Sequence, residues 1–193
     1  MLDIKAKVGD SFDTTVDKAG GTSDSTRAGG VFTIQVFDKD GNLKWEASKH
    51  NLVVNEGLKD MNDKYFTGAT YTAAWYIGIY GAALSNDPAP TDTMASHPGW
   101  TEITAYSQAN RPQAVFGAAT NADPSVITNN SNPAVFTING TTTVGGAFLT
   151  SSNTKGGTTG ILFSAADFQS PGDRNVVNGD TINITYTFSL DAA

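Results

Sequence analysis

Cysteine is absent from the 193 residues, histidine occurs only twice, and basic residues are outnumbered by acidic ones, 12 to 19. Without cysteine there is no disulfide, so stability comes from packing, hydrogen bonds or oligomerisation, as suits a chain made in a reducing cytosol. The two histidines, His50 and His97, are too few and too poorly placed for a zinc site or a hydrolytic triad. A net charge of −7 repels nucleic acid and anionic membranes, so neither is an expected partner. No apolar run approaches the about 18 residues of a transmembrane helix, and the first residues lack the apolar stretch of a signal peptide. No coiled-coil stalk, collagen-like segment or internal repeat is visible.

What is present is turn-rich and β-prone. Gly is abundant at 20, with many Thr, Ser and Asn, while apolar residues reach 39%. That composition fits an all-β protein. The clearest strand is the last. Ile182, Ile184, Tyr186, Phe188 and Leu190 fall on alternate positions after the tight turn Asn178-Gly179-Asp180. Further strands are expected at 31–37, 43–47, 50–55, 74–81, 113–116, 134–138, 144–150 and 160–163. Asp38 to Asn42 should form a hairpin turn with Gly41 at positive φ. Gly78, inside a strand, marks a bulge or a close backbone approach. One short helix is expected over 56–66. Its N-cap is Asn55 and its apolar face is Leu58, Met61, Tyr65 and Phe66.

The fold class expected is therefore a two-sheet antiparallel β-sandwich, residues 31–193, with one short helix and an extended N-terminal arm, residues 1–30. The arm is rich in Asp, Thr, Ser and Gly, with Phe12 and Val16 among its few large apolar residues. It is either a disordered tail or a segment ordered by a neighbouring subunit. Residues 82–111 form a long loop carrying Pro88, Pro90, Pro98, His97 and Trp100, and loops of that length are usually functional or pinned by contacts.

Catalytic patterns are incomplete. Gly9-Asp10-Ser11-Phe12 resembles the nucleophile block of lipase-like hydrolases, but the later Asp-x-x-His is missing. Asp38-x-Asp40-Gly41-Asn42 starts like a calcium loop with its Gly at the wrong position. There is no phosphate-cradling Gly loop. Asn129, Asn139 and Asn183 begin Asn-x-Ser/Thr triplets, which here are ordinary Thr-rich strand sequence. Glu102 and Asp173 are available carboxylates that nothing singles out. Trp45, Trp75 and Trp100 suit packing or an interface before sugar stacking. No catalytic, metal or cofactor residues are assigned, and no cofactor is expected.

Three ordered blocks carry a resemblance. They are Asn51-Leu52-Val53-Val54-Asn55-Glu56-Gly57-Leu58-Lys59-Asp60 followed by Phe66; Tyr76-Ile77-Gly78-Ile79-Tyr80-Gly81 followed by Pro90-Thr91-Asp92-Thr93-Met94; and Asp167-Phe168 followed by Val177-Asn178-Gly179-Asp180-Thr181-Ile182 and the last strand. In order and spacing this set resembles virion structural proteins of tailed bacteriophages over most of residues 31–190. The resemblance implies a sandwich, often jelly-roll-like, assembled on the virion in the bacterial cytoplasm. It implies a capsid decoration (cement) protein, or else a tail-fibre or tail adaptor component. The partners implied are the major capsid protein, other virion proteins and further copies of the chain, with a trimer favoured. A carbohydrate-active enzyme on the same scaffold is the remote alternative. Candidate partner-binding residues are Phe12 and Val16 in the arm, and Trp100 and Tyr106 in the long loop as a receptor or glycan surface.

Overall fold

Alternation decides the first sheet. In the computed structural model, which describes residues 26–71, 74–81, 87–168 and 172–192, the chain runs β1 (Thr26–Phe37), β2 (Leu43–His50), β3 (Leu52–Val53), α1 (Asn55–Phe66), β4 (Trp75–Gly81), β5 (Thr101–Glu102), β6 (Gln113–Ala114), β7 (Ser125–Thr128), β8 (Ala134–Thr137), β9 (Thr142–Val144), β10 (Gly146–Thr150), β11 (Leu162–Asp167), β12 (Arg174–Val176) and β13 (Thr181–Ala192). Strands β2-β1-β13-β7 form one sheet, with β8 also on β13, and β3-β11-β10-β4-β5 form a second, with β6 also on β4. All named pairings are antiparallel. The expected two-sheet sandwich is what the chain forms, with α1 its one helix among the described residues.

In the first sheet Val36, Ile34 and Phe32 of β1 stand directly opposite Ile182, Ile184 and Tyr186 of β13. All six are buried and face the second sheet, in one cluster with Ile77, Ile79, Leu149 and Phe163. Each such side chain contributes about 1.5–3 kcal/mol by leaving water. The second sheet is apolar on its other face as well. Tyr80, Phe148, Leu162 and Ala165 form a separate cluster there with Val54, Met94 and Trp100. This two-sided burial explains why β10 and β11 are buried at every position rather than alternating.

Gly78 confirms the close approach. It lies opposite Phe148, and a Cβ there would come within 2.1 Å of the Phe148 ring. Two residues along, the relation is reversed: Gly146 lies opposite Tyr80, and a Cβ would meet the Tyr80 ring at 2.0 Å. Each strand therefore lends one glycine to seat the other's aromatic ring.

The expected turns form. At Asp38–Asn42, Gly41 takes φ 85°. The Asp38 carboxylate accepts from the backbone N–H of Asp40 and Asn42 at 2.9 Å each. Hydrogen bonds from Asn42, then from Asp40, hold that carboxyl below its ordinary value, so its oxygens serve the turn itself. At the second turn Gly179 takes φ 93°, and the buried Asp180 accepts from Val177 N at 2.9 Å and from Lys44 Nζ at 2.6 Å.

Several boundaries differ from expectation. Ordered strand begins at Thr26, so residues 26–30 of the expected arm belong to the first sheet and pair with 188–192. Residues 1–25, including Phe12 and Val16, lie outside the described residues. The expected strand 50–55 is divided, because the chain leaves the first sheet at His50 and enters the second at Leu52. Asn51 fixes the crossing, donating from N to Gly30 O at 2.9 Å and from Nδ2 to the Tyr186 hydroxyl at 2.8 Å. The expected strand at 160–163 starts instead at Leu162, since Gly160 sits in a turn at φ 97°. Strands β5, β7, β9 and β12 were not expected, and β5 lies within the expected loop 82–111.

Asn55 is not the N-cap. It is the first helical residue, and Val54 precedes it in extended conformation without a side-chain cap. Tertiary contacts replace the cap. Asn55 N donates to Pro90 O at 2.9 Å, and the Glu56 carboxylate accepts from Leu162 N at 2.8 Å. The expected apolar face is also rotated. Gly57, Asp60, Met61 and Lys64, at i, i+3, i+4 and i+7, face the sandwich, while Tyr65 and Phe66 are 84% and 77% exposed and Leu58 is exposed too. Gly57 sets this orientation. A Cβ on it would lie 2.3 Å from the Phe163 carbonyl oxygen, so only this face permits so close a backbone approach.

Candidate functional site

The two loop aromatics expected to meet a partner are both in the interior. Trp100 is 2% exposed and packs on Tyr80 and Phe148 at ring distances of 4.9 and 5.0 Å. Its Nε1 donates to Asp92 at 3.0 Å, and His97 stacks on its ring at 3.8 Å. His97 Nδ1 donates to Trp100 O at 2.9 Å, which places its proton on Nδ1. Tyr106 is fully buried, edge-on to Phe136 at 5.0 Å, with the Lys155 ammonium 4.5 Å from its ring centre. Burial pushes its phenol up. The described part of the long loop is therefore a cover for the outer apolar face of the second sheet. Trp100 and Tyr106 offer no receptor surface.

Glu102 is likewise committed. Arg111, with its side chain fully buried, donates from Nη2 and Nε to the two carboxylate oxygens at 2.6 and 2.8 Å. It also donates to Ser152 O at 2.9 Å and Gly157 O at 2.8 Å, and Glu102 accepts from Gly156 N at 3.0 Å. This network ties residues 102–111 to the loop at 152–157. Among the described residues no group of three or more His, Asp or Glu has the arrangement of a metal site.

A cavity lies elsewhere. A pocket of about 260 Å³ opens where the two sheets part beside α1. Phe188, Tyr186 and Ile127 line it from the first sheet, Leu149, Phe163 and Trp75 from the second, with Phe116 and Tyr71 completing the wall. Met61, Asp60 and Lys64 enter from the helix. Lys64 and Asp60 pair at 2.7 Å, and the ammonium lies 6.0 Å from the Trp75 ring centre. Trp75 is edge-on to Phe163 at 5.3 Å, and Phe163 to Phe188 at 5.4 Å. The site can take an apolar group.

Next to the pocket the helix end carries exposed aromatics. Tyr65 and Phe66 pack edge-on at 4.9 Å, and Tyr71 is 76% exposed. The Tyr65–Phe66 pair is an exposed aromatic patch on an acidic chain. Compared with known protein families, with curated proteins and with solved structures, the chain finds no match.

One buried acid has a measurable signature. Burial, with the charges of Asp87 and Asp173 adding to it, pushes Asp167 up to about 6 from 3.8. The folded state thus holds a proton that the unfolded state gives up, so this residue's contribution to stability falls as pH rises from about 4 to 6 and is flat above. Asp167→Asn should therefore gain thermal stability over the parent through that window and stay a few degrees higher at neutral pH. Melting curves of both proteins across the range decide it. A difference that does not change with pH would contradict the assignment.

Proposed function

We propose that this chain is a non-enzymatic structural protein of a tailed-phage virion, a decoration protein attached to the outer head surface and built on a jelly-roll-like platform. The observation that carries attachment is the exposed Tyr65–Phe66 pair at the end of the helix, with the exposed Tyr71 five residues on, because large aromatics left in water mark a protein contact. Support for the virion setting comes from the ordered sequence blocks. Their residues hold the architecture together: Gly57 seats the helix, Gly78 the Phe148 ring, and the turn at 178–180 starts the central strand. An acidic surface lets such a protein coat a shell without competing for the nucleic acid inside. The side chains that could have suggested hydrolysis are engaged in structure: His97 on Trp100, and Glu102 on Arg111.

The test is the copy number of the chain per purified virion, measured against the major capsid protein. Hundreds of copies support a shell role, a dozen would move the protein to the tail, and absence would remove the virion reading. In add-back to capsids lacking the protein, Tyr65→Ser with Phe66→Ser should weaken attachment at least tenfold, roughly 1.4 kcal/mol or more. The melting temperature should be nearly unchanged, since both side chains are exposed. Full attachment by that variant would place the contact elsewhere.

A further inference from the structure

We propose that the pocket between the sheets binds a small, neutral, bicyclic aromatic molecule carrying one N–H or O–H donor, the class to which indole belongs. The inference does not depend on the virion reading.

Volume limits what can enter. At about 260 Å³ the pocket exceeds the roughly 150 Å³ cavity that holds a benzene, and falls short of the usual drug-sized site of roughly 300–1,000 Å³. A single ring underfills it, and two fused rings suit it.

The walls select a flat ring over an aliphatic chain. Trp75, Phe163 and Phe188 meet edge-on in sequence, at ring distances of 5.3 and 5.4 Å and interplanar angles of 66° and 75°. Phe116 meets Tyr186 in the same manner, at 6.2 Å and 65°. All five line the pocket. Such contacts set the positive edge of one ring against the negative face of the next, and a further ring continues the arrangement. A flexible chain would bury similar area but lose rotamer freedom on entry.

The helix wall supplies charge in a balanced form. Lys64 and Asp60, one turn apart, pair at 2.7 Å with side chains only 15% and 9% exposed. A charged ligand would therefore leave water without a counter-charge of its own. A carboxylate has about four acceptor sites, and Lys64 engages Asp60 through Oδ1. Asp60 can thus accept a further bond from a ligand, and its shielding from water strengthens that bond. The Lys64 ammonium lies 6.0 Å from the Trp75 ring centre, so the pair stands beside the aromatic wall. Tyr186 is no rival acceptor, because its hydroxyl is engaged by Asn51 at 2.8 Å and by Ser164 at 3.2 Å. An aromatic seat with one acceptor beside it is the recognition pattern of a ring that bears a donor.

The methionines provide the readout. Met61 lines the pocket, whereas Met94 is buried in the separate cluster around Trp100. In the full chain labelled with methyl-13C methionine, indole should shift the Met61 methyl resonance saturably and leave Met94 in place. The dissociation constant should be on the order of 0.1 mM, as suits so small a ligand. Benzofuran has the same shape without the N–H, and should bind at the same place about tenfold more weakly. Asp60→Ala with Lys64→Met removes both charges together. It should bring indole to the affinity of benzofuran and leave benzofuran within about twofold of its parent value, with a melting curve showing a folded protein. The ratio of indole to benzofuran in the parent chain reads the same bond without any substitution. No saturable shift at millimolar indole, an equal shift at Met94, or equal affinities for the two compounds would each overturn the proposal. So would N-acetyltryptophanamide binding at least tenfold more tightly than indole, which would assign the pocket to a tryptophan of a partner protein.

Discussion

Arg111→Ala should cost about 3–5 kcal/mol of folding stability, the range for breaking a buried ion pair, and lower the melting temperature by about 10–15 °C. The reason is what the deletion leaves behind. Glu102 would keep a largely buried carboxylate that has lost both guanidinium bonds, and the carbonyls of Ser152 and Gly157 would lose their donor. An uncompensated buried charge costs more than the pair was worth. Arg111→Met with Glu102→Leu should therefore recover at least half of the loss, because it removes the charge along with its partner. Recovery should stop short of complete, since the two carbonyls and Gly156 N still lack partners. Chemical denaturation of the single and double variants measures both numbers. A double variant no more stable than Arg111→Ala would show that the loss lies in loop geometry rather than in charge.

Gly57→Ala is the second large effect. Alanine is ordinarily the better helix former by about 1 kcal/mol, so the substitution should stabilise α1 considered alone. Here the added Cβ would lie 2.3 Å from the Phe163 carbonyl oxygen and 3.0 Å from its carbon and Cα. Those are backbone atoms of β11 and cannot swing aside. Overpacking of this kind costs roughly 1–3 kcal/mol and can exceed that. The expected net result is a loss of roughly 2 kcal/mol or more, with a melting temperature lower by about 5 °C or more. Gly29→Ala is the internal control, because a Cβ there meets nothing within 4 Å. It should be close to neutral. A stabilised Gly57→Ala would mean that the helix sits further from the sheet than these contacts require.

The architecture was legible where a single periodicity operates. The alternation in β13 and the hairpin at Asp38–Asn42 each have one physical meaning and each took it, while Gly78 took the second of its two, a close approach with no bulge. What could not be read depends on neighbours far away in sequence. Ser125-Val126-Ile127-Thr128 is β-prone but only four residues long, and it becomes β7 because β13 presents an open edge at Thr187–Leu190. Leu58, Met61, Tyr65 and Phe66 share a plausible apolar face, but the choice of face was made by a glycine, a residue that contributes nothing to such a pattern. The site was harder still. Trp100 looked like a surface aromatic because it lies in a proline-rich loop. The second sheet's outer face needed a cover, and the loop supplies one. The pocket draws its residues from eight segments, six of which give only one each, so no local pattern announces it. The exposed patch had a signal, Tyr65-Phe66 beside Tyr71, that burial alone could interpret.

The pairing of β1 with β13 has a consequence for how the chain reaches its fold. Twelve consecutive pairs, from Thr26 with Ala192 to Phe37 with Thr181, join the first described strand to the last. As the chain emerges during synthesis, β1 can zip with β2 at once through their tight turn, yet its other edge stays open until nearly every later residue has appeared. Phe32, Ile34 and Val36 spend that interval without the strand that will flank them. Closure of so long a loop is slow compared with hairpin formation. The sandwich is thus completed by its final strand, and the hairpin that starts it must wait with one edge unpaired, the form of chain most prone to join another of its kind.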